Sequence, residues 1–136
     1  MTDADATIAA LKSWVRDFSR ERDWEQFHHP KDLGVALACE VGELLEHVRY
    51  RTHEEVRTAL ADAATHEAFA HELADCLWLV LRLGDVTGVD LASALQSKLA
   101  EAARKYPVEK ARGRADKYTA YRERDPAGPD ADTEPR

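Results

Sequence analysis

Everything about the architecture turns on Glu72-Leu73-Ala74-Asp75-Cys76-Leu77-Trp78-Leu79-Val80-Leu81. From Cys76 to Leu81 no residue is polar, and Phe69, Leu73 and Leu83 extend the apolar character to either side. Such a run predicts a helix that is hydrophobic almost all round, which belongs at the centre of a bundle rather than on its surface. Two acids, Glu72 and Asp75, open the stretch. Spaced three apart, they share one helical face, roughly a turn from each other. An ionised carboxylate among apolar neighbours is costly unless a basic partner or a cation compensates it.

A second pair of the same kind, Glu40 and Glu43, lies in Ala36-Leu37-Ala38-Cys39-Glu40-Val41-Gly42-Glu43-Leu44-Leu45. Two inward-facing acid pairs on two helices repel each other. Four oxygen donors without Cys or His at ligand spacing suit a hard cation, magnesium or manganese.

The chain of 136 residues is long enough for one domain with a real core. Gly and Pro are few, and no run alternates β-branched with polar residues, so the expected fold class is all-α. A net charge of -7 argues against a protein that grips a nucleic acid polymer electrostatically. It leaves a nucleotide open, because a cation can mediate between carboxylate and phosphate. Cys39 and Cys76 fall in apolar helical patterns and are expected to be reduced core residues. With no signal peptide, lipidation motif or membrane-length apolar run, the expected location is cytoplasmic.

Ile8, Leu11, Val15 and Phe18 mark a first helix over about residues 5–21. The segment Asp23-Trp24-Glu25-Gln26-Phe27-His28-His29-Pro30 interrupts it, with Trp24 and Phe27 either in a functional loop or plugging the bundle end. Pro30 opens a second helix that runs to about Tyr50. Thr52-His53-Glu54-Glu55 has the form of a capping box for a short helix ending near Leu60. Thr65 is the expected cap of the central helix, which stops around Gly88. Asp90 caps a fourth long helix with Leu91, Leu95, Leu99, Ala102 and Tyr106 as its buried stripe, ended by Pro107. The result is a four-helix bundle with a short additional helix over 1–121, a basic-aromatic connector at 111–118, and a disordered tail over 122–136.

The paired motifs Glu40-Val41-Gly42-Glu43 and Glu72-Leu73-Ala74-Asp75 resemble the ExxE…ExxD signature of the MazG-like all-α nucleoside triphosphate pyrophosphohydrolases. Glu21-Arg22-Asp23-Trp24-Glu25-Gln26-Phe27-His28, Arg104-Lys105-Tyr106-Pro107 and Lys117-Tyr118-Thr119 are similar to the dCTP pyrophosphatase branch. The resemblance covers about residues 8–121. It implies a fold completed by dimerisation, as a homodimer or homotetramer with sites built partly across subunits. It also implies cleavage of the α–β phosphoanhydride of a nucleoside triphosphate, dCTP or a modified pyrimidine analogue, to monophosphate and pyrophosphate. Glu40, Glu43, Glu72 and Asp75 would be the catalytic metal ligands for Mg2+, with Mn2+ a substitute, and Glu43 would orient the attacking water. Trp24 and Phe27 would wall the base pocket, and Lys98, Lys117 and Tyr118 would meet phosphate oxygens. Two positions depart from the pattern. Ala102 stands where relatives carry Asn, and Tyr50 stands where vertebrate dCTP enzymes carry Trp.

Two other readings compete. A di-iron carboxylate bundle wants Glu-x-x-His on its helices, but the residues three after Glu40 and Glu72 are Glu43 and Asp75. His47, His53, His66 and His71 are expected on helix surfaces. A non-catalytic dimerisation or adaptor module would instead pair the four acids with Arg49, Arg82 or Lys98.

Overall fold

The computed structural model describes residues 2–119. The tail expected over 122–136 lies outside the described residues. Six α-helices follow in order: α1 (Ile8–Glu21), α2 (Pro30–Glu46), α3 (His53–Leu60), α4 (Ala63–Val86), α5 (Leu91–Lys105) and α6 (Val108–Ala111). A single 3-10 turn, Glu25–Phe27, stands between α1 and α2. There is no strand among the described residues, so the all-α expectation with four long helices holds. No helix among them is long and apolar enough to cross a membrane.

The chain divides into two compact units, the first ending at Ala92 and the second beginning at Ser93. In the first, α4 is the hub, with α1, α2 and α3 all packed against it. Its 24 residues follow from the uninterrupted apolar run and from caps at both ends. The N-cap is Asp62, not Thr65: the Asp62 carboxylate accepts from the Thr65 N–H at 2.9 Å and from the Thr65 hydroxyl at 2.9 Å. A carboxylate satisfies two donors there and also faces the positive end of the helix dipole. Gly88, at φ 69°, closes the other end as a left-handed C′ residue, as expected.

Thr52 and Glu55 form the reciprocal capping box of α3. The Thr52 N–H donates to Glu55 at 2.7 Å, and the Glu55 N–H donates to the Thr52 hydroxyl at 3.3 Å. The second helix stops earlier than its sequence pattern suggests, at Glu46. Residues 47–50 unwind in tighter turns, and Tyr50 takes φ 58°, the left-handed conformation that ends helices.

Burial differs from the expectation in three places. Leu33 and Leu81 are the buried hydrophobic core residues, whereas Leu73, Leu77 and Val80 of α4 are exposed. These three fall at i, i+4 and i+7, so α4 keeps one apolar stripe uncovered. Cys39 is exposed, and Cys76 is only partly buried. In the second unit Leu95 and Leu99 are 60% exposed, although their spacing marks a stripe. Periodicity identifies the face that burial would use, not whether anything covers it.

Gly84 carries a packing constraint. A Cβ there would lie 2.8 Å from Leu91 Cγ and 2.9 Å from Leu91 Cδ1, whereas at Gly34 it would meet nothing within 4 Å. Overpacking costs about 1–3 kcal/mol, against a helix-propensity gain of about 1 kcal/mol for Gly→Ala. Chemical denaturation should therefore show Gly84→Ala destabilised by about 1 kcal/mol and Gly34→Ala stabilised by up to about 1 kcal/mol.

Candidate active site

Helices α2 and α4 bring the two acid motifs together. One carboxylate oxygen each from Glu40, Glu43 and Glu72 lies within 4.8 Å of the others. Glu40 and Glu72 are half-buried, and Glu43 is exposed. Asp75 stands outside this tight group. It is a turn further along α4 on a shorter side chain, yet its charge still acts on Glu40. Partial burial, then the charges of Glu43, Asp75 and Glu72, push the Glu40 carboxyl above its ordinary range.

Among the described residues, no basic side chain forms an ion pair with these acids. Arg49 pairs with Glu46 at 2.8 Å, Arg82 with Asp85 at 2.8 Å and Lys98 with Glu101 at 2.8 Å. The ion pairs that an adaptor module would require are thus taken by other acids. An uncompensated set of hard oxygen donors fits a divalent cation.

The approach to the acids is aromatic, and it is built by the way α1 ends. Asp23 sits at φ 53°. Its N–H donates to the Arg20 carbonyl at 3.0 Å, and the Trp24 N–H donates to the Ser19 carbonyl at 2.9 Å. This pair of bonds is a Schellman closure, with Asp in the place glycine commonly holds. Gln26 Nε2 secures it by donating to the Asp23 carboxylate at 2.8 Å. The chain then reverses and lays Trp24 nearly parallel to Trp78, with ring centroids 6.4 Å apart at 16°. Phe18 meets both rings edge-on, at 5.9 and 5.3 Å.

Beside Trp24 and Trp78 lies a cavity of about 260 Å³, also lined by Phe27, His28, Leu33, Glu40 and Asp75. Trp24 is 38% exposed and Phe27 62%, so neither ring plugs the bundle end. A second, largely apolar and open hollow of about 310 Å³ shares Asp75 and Trp78 and is also lined by Trp14 and Phe18.

A family model for the MazG-like family matches residues 35–120. The chain is 37% identical over 116 residues to dCTP pyrophosphatase 1 of Bos taurus, an alignment covering 85% of this chain and 69% of that protein. It is 36% identical over 115 residues to dCTP pyrophosphatase 1 of Homo sapiens, covering 85% and 68%. Among solved structures, a pyrophosphatase from Archaeoglobus fulgidus DSM 4304 superposes with a TM-score of 0.69 at 33% identity, covering 74% of this chain and 92% of that one.

The chain belongs to the MazG-like family. It is an enzyme of the nucleotide pyrophosphohydrolase class. Both MazG-like acid motifs lie inside the matched region, which begins at Val35, after the Trp24 segment.

Of the other positions singled out by the resemblance, Lys98, Ala102, Lys117 and Tyr118 fall in the second unit and Tyr50 in the first. Lys98 is held by Glu101, which also accepts from Lys105 at 2.6 Å. These two lysines, Lys105 first, hold the Glu101 carboxyl down to about 2. Lys117 is exposed, and the Tyr118 ring stands edge-on to Tyr106 at 6.0 Å. Ala102 is half-buried, and Tyr50 is 97% exposed under the Arg49 guanidinium. Trp78 and His28 had not been expected to line the site. For Trp78 the signal was available: it stands three residues after Asp75, on the same helical face.

The raised Glu40 carboxyl has a pH consequence for metal-free protein. Its favourable contribution is complete below the unfolded value of 4.5 and is lost as pH rises through the higher folded value. Glu40→Gln in chelator should therefore be more stable than wild type at neutral pH, and that advantage should vanish below 4.5. Denaturant titrations of both proteins at the two pH values check this. A variant less stable at neutral pH would contradict it.

Proposed function

We propose that this enzyme adds water across the α–β phosphoanhydride of a deoxynucleoside triphosphate, releasing one nucleoside monophosphate and one pyrophosphate. dCTP or a modified pyrimidine analogue is the proposed substrate, after the named activity of the relatives from Bos taurus and Homo sapiens. The observation that carries the reading is the cavity shared by Trp24, Trp78, Glu40 and Asp75. Flat rings and uncompensated carboxylates meet there, as a ligand with a base at one end and phosphates at the other requires.

Glu40, Glu43, Glu72 and Asp75 would hold Mg2+, with Mn2+ able to replace it. Bound there, the cation supplies Lewis-acid polarisation and charge neutralisation at the phosphates. Glu43, the most accessible of the close trio, orients the attacking water. Trp24 and Phe27 wall the base, and stacking there contributes roughly 1–3 kcal/mol. Lys98, Lys117 and Tyr118 contact phosphate oxygens, for which Lys98 exchanges its partner Glu101. Positioning and electrostatics suffice for such a transfer, so no covalent nucleophile is needed.

The working form is a homodimer or homotetramer in the cytoplasm. Leu73, Leu77 and Val80 on α4, and Val41 and Leu45 on α2, are exposed apolar side chains that a second copy would cover.

Chromatography of dCTP incubated with enzyme and Mg2+ should show dCMP and pyrophosphate in equal amounts, with no dCDP. A diphosphate product would refute the bond assignment. Trp24→Ala should raise KM by roughly 5- to 150-fold, the equivalent of about 1–3 kcal/mol of lost stacking, and narrow the preference among bases. Unchanged kinetics with lowered stability would make Trp24 a packing residue only.

A further inference from the structure

The proposed reaction accounts for the acids and the aromatic walls but leaves a buried charged chain unexplained. Arg82 is 4% exposed. Its Nη1 donates to Asp85 at 2.8 Å, its Nη2 reaches Glu25 at 3.4 Å, and its Nε donates to His28 Nδ1 at 2.9 Å. Asp85 also accepts from Arg16, from Nε at 3.0 Å and from Nη2. The Arg16 hydrogen bond foremost, with the charges of Arg16 and Arg82, holds the Asp85 carboxyl below its ordinary range, so it stays ionised. Two guanidinium groups and two carboxylates thus form one balanced chain from α1 across α4 to the turn before α2.

Charges are a costly way to fill space between helices. A buried ion pair adds little net stability, and apolar side chains of similar volume often hold a fold as well or better. What the charges supply here is geometry. Trp24 and Phe27 are exposed, and the Glu25–Phe27 turn has no side-chain cap. Gln26 bonds only to Asp23, within the same segment. Among the described residues, the side-chain hydrogen bonds that fasten this turn to α4 both end on Arg82. Asp75, Trp78, Arg82 and Asp85 follow at i, i+3, i+7 and i+10, along one face of α4. Asp85 therefore stands roughly 15 Å along the helix from Asp75. Neither Arg82 nor Asp85 lines the cavity, so any effect on it must pass through the residues they hold.

We propose that Arg82 and Asp85 are positioning residues: they lock the turn before α2 and the end of α1 onto α4, so that the cavity is shaped before substrate arrives. This rests on the reading of the cavity as a nucleotide pocket. A turn ordered in advance loses less freedom on binding, and that saving appears in KM rather than in the chemical step.

The test variant is the full chain with Arg82→Met and Asp85→Leu together. Removing either residue alone would strand a buried charge and risk the fold, whereas the pair leaves only Arg16 and Glu25 unpartnered, and both reach water. The double variant should melt no lower than wild type. Hydrogen exchange followed by mass spectrometry should show peptides over 24–29 exchanging about tenfold faster, with α2 and α4 unchanged. In steady-state kinetics with dCTP, KM should rise about two- to tenfold, the scale of ordering one flexible side chain on binding, while kcat and Mn2+ affinity stay within about twofold. Exchange that is unchanged over 24–29, or faster in all helices alike, overturns the positioning role. So does an unchanged KM beside normal wild-type turnover, which leaves the pocket reading intact. A wild-type protein that cleaves no triphosphate overturns the pocket reading, and the role of Arg82 and Asp85 with it.

Discussion

Like charges gathered at one helical seam are the constraint around which the protein is arranged. Glu40, Glu43 and Glu72 approach within 4.8 Å without a basic partner among the described residues, and Asp75 adds its field from the next turn. Among the described residues, no hydrogen bond or ion pair relieves them. The energy to hold them there comes from α4, whose apolar length packs α1, α2 and α3 around it. The same helix therefore provides the cohesion and bears the electrostatic cost. Such a cluster keeps its worth only if a cation offsets the repulsion, and that links the stability of the fold to the chemistry of the site.

The aromatic side of the cavity depends on a different kind of constraint. Trp24 is placed by backbone geometry, the left-handed Asp23 and the two bonds that close α1, more than by burial. Arg82 then holds the following turn through His28 and Glu25. A half-exposed ring on a pinned segment can meet a ligand without costly reordering. Binding surface and charged cluster are thus carried by separate local devices that converge on α4.

Much of this was legible in the chain. The apolar run after Glu72 located the central helix, the twin ExxE and ExxD spacings located the acids, and Thr52 with Glu55 announced the α3 cap. What was not legible required three dimensions. Asp62 and Thr65 are both plausible caps, and only backbone geometry selects Asp62. Tyr50 could have continued α2, but its left-handed conformation is settled by the return of the chain to α3. Cys39 looked internal because its neighbours are apolar, yet it falls on an uncovered face of α2. The Arg82 network joins residues 54 and 57 positions apart, a coupling with no local sequence signature.

The central claim is that the three close carboxylates form a divalent cation site. Titration of Mn2+ into metal-free protein, followed by loss of the free-ion paramagnetic resonance signal, tests it directly. Saturable binding by wild type, displaced by Mg2+ and much weakened in both Glu40→Gln and Glu72→Gln, is the result predicted. Wild-type protein that binds no Mn2+, or binds it no more tightly than the two variants, would contradict it.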